Sequence, residues 1–158
     1  MFLRRGVTTR VNVRLAAASD AVEIAAISRD YIERGLEWRW TYNRVLGVIA
    51  DPETNVVVVG STGGIVAFGI MSYSDDDAHL ALLGVRRSAQ RRGVASAILL
   101  WLEQVATLSG CARLLVEARA SNIAAQGFYL SRGFHLVGTK AAMYGDAEEG
   151  VRLQKWLR

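Results

Sequence analysis

The sequence predicts a mixed α/β domain of the α+β kind, built on a mostly antiparallel sheet of six or seven strands. Three observations carry this. The segments run strand, helices, three strands in succession, helix, strand, helix, two strands, an order that gives mixed layers rather than a purely parallel sheet. The β-branched run Val56-Val57-Val58-Val59 is followed at once by Ser61-Thr62-Gly63-Gly64 and a second apolar run, the pattern of two strands joined by a hairpin. The regular strand–helix alternation of a doubly wound nucleotide fold is missing. With 158 residues, 51% of them hydrophobic, the chain has enough apolar surface for one substantial core. Residues 1–10 are expected to form a flexible N-terminal arm, and residues 11–158 the single domain.

The first strand, Val11 to Ala16, alternates apolar and polar residues. Asp20 and Glu23 have the spacing of a capping box. The helix they open places Ile24, Ile27, Tyr31 and Ile32 on one face and stops at Gly35. A short helix follows from about Tyr42 to Ile49, then a turn at Asp51-Pro52-Glu53-Thr54. Ile65 to Ser74 returns from the hairpin, Ser74-Asp75-Asp76-Asp77 turns again, and Ala78 to Val85 is the next strand. The acidic triplet reads as a solvated turn. Val94 to Leu108 carries Val94, Ile98, Trp101, Leu102 and Val105 at helical spacing, with Gly110 as its stop. Arg113 to Ala118 is a strand and Ile123 to Arg132 a helix stopped by Gly133. Phe134 to Gly138 and Val151 to Leu157 are the last strands, joined by the loop from Met143 to Gly150.

Composition narrows the function. The net charge is +4, but basic residues come in nothing longer than pairs among interspersed acids, so a nucleic-acid groove is not called for. One cysteine, Cys111, rules out an intrachain disulfide. His79 and His135 are the only histidines, and with Cys111 they have no metal-ligand spacing, so no metal is expected. No apolar run reaches membrane-spanning length, and the basic start Met1 to Gly6 lacks a signal peptide's apolar core. The expectation is a cytoplasmic protein without membrane partners, with a homodimer as one open form of assembly.

The chemistry concentrates at Gln90-Arg91-Arg92-Gly93-Val94-Ala95-Ser96. It joins the apolar run Leu80 to Val85 to the helix from Val94. The first turn of a helix offers unpartnered N–H groups at its positive pole. Gly93 allows close backbone approach, Ala95 adds only a methyl, and Arg91 and Arg92 add charge suited to phosphate oxygens. Gly93 is followed by Val94 rather than by the Lys of a nucleotide-triphosphate loop. Elsewhere, Leu36-Glu37-Trp38-Arg39-Trp40-Thr41-Tyr42 packs three aromatics into seven residues. They either cover the core or, with Glu37, form a wall for a cationic amine.

Gln90-x-x-Gly93-x-Ala95 and the later run Leu115 to Phe134 together resemble the GNAT superfamily of acetyl-CoA-dependent N-acetyltransferases. The family's pyrophosphate motif is Arg/Gln-x-x-Gly-x-Gly/Ala, and its second half carries Asn-x-x-Ala, a Tyr and Gly-Phe. Here these are Asn122, Ala125, Tyr129, Gly133 and Phe134. The stretch Glu117 to Asn122 is most similar to the branch that acetylates the N-terminal alanine of a ribosomal protein. The specific resemblance spans about residues 78 to 144. Arg87 stands where many members have Pro, and Trp38-Arg39-Trp40 has no assigned counterpart.

The resemblance implies the GNAT fold, with helices on both sheet faces, and N-acetyl transfer from acetyl-CoA to a primary amine. The acceptor would be a protein N-terminus or a small amine, attacking directly in a ternary complex. Leu83, Gly84 and Val85 would pair through their backbone with the pantetheine arm. Gln90, Arg91, Arg92, Gly93, Val94, Ala95 and Ser96 would cradle the pyrophosphate. Asn122 and Ala125 would complete the cofactor site. Tyr129 would touch the cofactor and protonate the leaving thiolate, and Glu117, directly or through water, would take the amine's proton. The resemblance would set Tyr144 near the acceptor, while Glu37, Trp38 and Trp40 are candidates for the acceptor wall from their own chemistry alone. The chemistry asks for such groups independently: only a neutral amine attacks a thioester, and a phenol with a pKa of ~10 is a fitting acid for a thiolate. Ordinary readings stand beside these: Tyr129 as a packed helix residue, Glu117 as a partner of Arg119, His79 as core. A module that binds acyl-CoA without transfer is the alternative function.

Overall fold

The computed structural model describes residues 11–61, 63–140 and 149–158. Its seven strands are β1 (Val13–Leu15), β2 (Thr54–Ser61), β3 (Gly64–Ser74), β4 (Asp77–Val85), β5 (Arg113–Arg119), β6 (His135–Lys140) and β7 (Gly150–Trp156). Its helices are α1 (Ala21–Ile27), α2 (Tyr42–Ala50), α3 (Val94–Leu108) and α4 (Ile123–Leu130). The sheet runs β1-β2-β3-β4-β5-β7-β6. Every neighbouring pair is antiparallel except β4 and β5, which are parallel. The mostly antiparallel α/β expectation is therefore met with seven strands.

Strand alternation divides the core between the two faces. Val57, Ala67, Met71, Leu114, Val116 and Leu153 pack with Ile98, Leu99 and Leu102 of α3 and with Tyr129 of α4. Val56, Val58, Phe68 and Ile70 pack on the other face with Ile24 and Ile27 of α1 and Val45 of α2. α3 lies so close to β3 that a Cβ on Gly69 would stand 2.7 Å from Ile98 Cγ2, which accounts for glycine in mid-strand. Cys111 is buried in the first of these clusters, where burial pushes its thiol pKa up.

β4 breaks the alternation. Ile70 pairs with Leu82 and Met71 with Leu80, so Ala81 is a bulge with no partner on β3. A bulge exchanges the faces that follow it. Ala78 and Leu80 pack toward α3, and beyond the bulge it is Leu83 and Val85 that do so. Leu82 turns to the α1 side. A Cβ on Gly84 would there meet Phe68 at 2.8 Å and Ile32 at 3.0 Å. His79, for which core packing was one expectation, points away from the face of Ala78 and Leu80 and is half-buried on the wall of the cleft described below.

Asp20 and Glu23 do not form the expected box. Asp20 closes a 3₁₀ turn, Ala18–Asp20, and accepts from the Ala17 N–H at 2.8 Å. The Arg14 guanidinium forks onto its two carboxylate oxygens at 2.8 and 3.0 Å. Glu23 instead accepts from the Ile65 N–H at 3.0 Å. Asp20 is 0% exposed, and the Arg14 hydrogen bonds hold its pKa below the usual carboxylate range. A depressed carboxylate stabilises the fold above its unfolded pKa, about 4, and that contribution is lost as pH falls through the lower folded value. Asp20→Asn is expected to cost roughly 2–3 kcal/mol near neutral pH. It should also flatten the acid limb of stability against pH, read from denaturant midpoints between about pH 6 and 2.

The helix after Asp20 continues past Ile27 as a π turn, Ser28–Ile32, closed by the Glu33 N–H on the Ser28 carbonyl at 2.7 Å. The wider turn rotates the register. Ile32 faces inward, and Tyr31, expected on the buried face, is 41% exposed. Gly35 follows in the left-handed region at φ 79°, the stop expected of it. β1 is shorter than expected, and α4 ends at Leu130 rather than Arg132. β5, β6 and β7 shift by one or two residues at their ends. Asp77 opens β4 and pairs with Arg113 of β5 at 2.7 and 2.9 Å, so one member of the acidic triplet fixes the start of the parallel pair.

Candidate active site

β4 and β5 pair only from Asp77–Arg113 to Leu80–Val116. Beyond Leu80 the bulge turns β4 away, and β5 runs on with β7 alone. The divergence opens a cleft of ≈ 650 Å³. Along its wall, residues 82–85 of β4 pair with β3 on one side and, among the described residues, with no strand on the other. Backbone donors and acceptors on such an edge are a template for an extended ligand.

One mouth of the cleft lies at the start of α3. Arg91 and Gly93 both adopt left-handed backbone, at φ 63° and 75°. A Cβ on Gly93 would meet nothing within 4 Å, so the conformation calls for glycine, not crowding. Gly93 is the N-cap, and no side chain caps the helix. The Ala97 N–H bonds back to the Gly93 carbonyl at 3.0 Å, which leaves the amides of Val94, Ala95 and Ser96 in the first turn, ahead of any intrahelical acceptor. The Val94 side chain is in the core, while Arg91 and Arg92 are exposed. Gln90 folds back, its Nε2 donating to the Val85 carbonyl at 3.1 Å.

α4 forms the opposite wall. Asn122 is its N-cap, accepting from the Ala125 N–H at 3.0 Å through Oδ1. Its side-chain oxygen thus caps the helix, and its amide nitrogen has donors available for a ligand. Gln126 braces the approach by donating to the carbonyls of Arg119 and Ala120 at 3.1 and 3.0 Å. The Tyr129 ring, 6% exposed, stands edge-on to Phe128 and Phe134 at 5.2 and 5.3 Å. Glu117, half-buried on β5, is ion-paired to its cross-strand neighbour Arg152 at 3.2 Å. The expected alternative partner, Arg119, donates instead to the carbonyls of Ile32 and Arg34 at 2.8 and 3.2 Å, which ties β5 to the segment after the π turn.

Leu83, Gly84, Val85, Gln90, Ala95, Glu117, Asn122, Ala125 and Tyr129 thus line one cleft with Glu37 and Trp40. Trp38 does not line it. Its ring lies in a neighbouring depression with the Arg29 guanidinium 5.5 Å away. Tyr144 lies outside the described residues.

Two structural residues went unread in the sequence. Arg132, after α4, stacks on Phe128 at 4.0 Å and donates through Nε to Ser96 Oγ at 3.1 Å, and its Nη2 also bonds that hydroxyl. It links the two walls at the mouth and engages the Ser96 side chain. Glu33, 8% exposed, accepts from Ser28 Oγ at 2.8 Å and from the Arg39 and Trp40 N–H groups at 2.7 and 3.3 Å. Its carboxylate closes the loop that carries Glu37 and Trp40. Glu33→Ala should speed backbone amide exchange at Arg39 and Trp40 at least about tenfold, because the loop loses its anchor, with exchange in α3 unchanged.

Among the described residues no group of His, Cys, Asp and Glu could hold a metal, and no helix is long and apolar enough to cross a membrane. A mostly antiparallel sheet of seven strands, opened at its one parallel pair beside a helix begun by glycine, matches the GNAT fold. A model of the acetyltransferase (GNAT) family matches residues 20–134, and the chain belongs to that family of acetyl-CoA-dependent enzymes. No curated protein matches it. Among solved structures it is similar to the ribosomal-protein-S18-alanine N-acetyltransferase of Escherichia coli, with 24% identity, 94% of each chain covered and a TM-score of 0.76. It is similar to Ard1 of Thermoplasma volcanium at 20% identity, over 92% of this chain and 96% of that one, TM-score 0.81. Arabidopsis thaliana NAA60, in complex with a bisubstrate analogue, shares 16% identity over 93% and 98%, TM-score 0.81. At these identities the likeness is one of fold.

Proposed function

We propose that the chain moves the acetyl group of acetyl-CoA to a primary amine, a polypeptide N-terminus or a small molecule, by direct attack in a ternary complex. The observation that carries this reading is the unpaired β4 edge from Leu82 to Val85 running toward the uncapped first turn of α3. The edge suits the amide-bearing pantetheine arm, and the first turn, with its oriented amides, suits the pyrophosphate. Asn122 offers its amide nitrogen from the facing wall. Arg91 and Arg92 supply positive charge at the surface of the same mouth.

The reaction forms a C–N bond and breaks a C–S bond. An amide at Leu83 to Val85 donates to the thioester oxygen as charge develops on it. Glu117, directly or through water, receives the proton of the attacking amine. Tyr129 donates a proton to the departing sulfur. Glu37 and Trp40 on the loop receive the amine, with Trp38 and Tyr144 as the outer candidates for that role. The reaction needs no metal, and a cytoplasmic setting fits acetyl-CoA.

The test is release of free thiol from acetyl-CoA in the presence of a panel of peptide and small amines, with acetylated product identified by mass. Amine-dependent release is expected. Acetyl-CoA binding with no turnover on any amine would make the chain a silent acyl-CoA-binding module instead.

A further inference from the structure

The acceptor end of the cleft carries a charge pattern that general amine acetylation does not require. Arg39 and Arg44 both line the cleft that holds Glu117 and Tyr129. Both are exposed, and no carboxylate among the described residues pairs with either. The Arg44 guanidinium lies 3.8 Å from the Trp40 ring centroid. A stacked guanidinium has its plane fixed and its N–H edge free, arranged to receive a carboxylate with two parallel hydrogen bonds.

The position of Arg44 adds to this. It is the third residue of α2, where the helix dipole disfavours a cation. That first turn holds no acidic residue and no side-chain cap. Nothing within α2 therefore accounts for an arginine there. The backbone beside it is fixed, since Glu33 holds the N–H groups of Arg39 and Trp40. Of the carboxylates on the cleft wall, Glu33 is spent on those amides and on Ser28, and Glu117 is paired with Arg152. Among the described residues of that wall, Glu37 alone is left to offset the two arginines.

From this arrangement we infer that the acceptor is an amine carrying a carboxylate close by, held by Arg44 and Arg39 while the amine is presented to Glu117. The inference rests on the acetyltransferase reading and narrows it. The carboxylate has two sources, the acidic second or third residue of a polypeptide or the carboxyl group of a small amino acid.

The experiment measures kcat/KM for three peptides beginning Ala-Glu-Glu, Ala-Ala-Ala and Ala-Lys-Lys, and for glutamate against a matched amine without carboxylates. Each is run with the parent, Arg44→Glu and Arg44→Gln, and the Kd of acetyl-CoA is measured in parallel. The expected result is at least a tenfold preference for the carboxylate-bearing acceptor within one of the two sets, which identifies the source. Arg44→Glu should reverse that ranking and Arg44→Gln erase it, with acetyl-CoA affinity unchanged. The ranking is a ratio within each variant, so partial loss of folded protein does not mimic it. Equal or better use of the neutral or lysine acceptors by the parent, or a ranking untouched by both variants, overturns the inference and leaves acetyl transfer standing. Failure of the parent to bind acetyl-CoA overturns both.

Discussion

Tyr129→Phe is expected to lower kcat about 100-fold or more while leaving the fold and the acetyl-CoA Kd nearly unchanged. The phenyl ring keeps both edge-on contacts, to Phe128 and Phe134. What is lost is one hydroxyl, which costs stability of about 1 kcal/mol. Without a donor, the sulfur must leave as a free thiolate or take its proton from solvent. Steady-state rates at saturating acetyl-CoA, beside a thermal melt and a titration, separate the chemistry from the packing. An unchanged kcat would move the acid to another group and return Tyr129 to a purely structural role.

Gly93→Glu is expected to weaken acetyl-CoA binding at least 100-fold. Gly93 sits at φ 75° with open space around its Cβ direction, so any L-residue there costs about 1–2 kcal/mol for the left-handed backbone. Gly93→Ala has that cost and little else, and is expected to retain affinity within about tenfold. The glutamate adds a negative side chain where a pyrophosphate would meet the first-turn amides, so the difference between the two variants isolates the anion site from the backbone strain. Equal affinities in the two variants, measured by calorimetry, would place the phosphates away from α3.

Much of this was legible in the sequence, and the failures have identifiable physical causes. The bounds of α3 agree with the expectation, but its buried face runs through Leu99 and Ala106 rather than Val105, because residues 97–102 are apolar throughout and mark no single face. Asn122 was read as a polar residue of the site but not as the cap of α4, since cofactor contact and capping draw on the same amide. His79 lies off the α3 face because it alternates with the buried Ala78 and Leu80, and the bulge at Ala81 then reverses the later residues, bringing Leu83 and Val85 to that face. Tyr31 was misplaced by the π turn, which alters a period assumed constant. Asp20 and Glu23 have the spacing of a cap, yet their partners are Arg14, Ile65 and the backbone of Ala17. Glu33, Arg132 and the Trp40–Arg44 stack are the residues that join separate segments of the cleft or its loop. Such contacts leave no periodic trace.

The measurement closest to the central claim is backbone amide hydrogen exchange with and without saturating acetyl-CoA. The claim is that the cofactor lies along the free edge of β4 and ends on the first turn of α3. Slower exchange on addition of acetyl-CoA is predicted for amides between Leu82 and Val85 and between Gly93 and Ser96, with β1 and β2 unchanged. Protection confined to other segments, or none at saturation, would contradict the account.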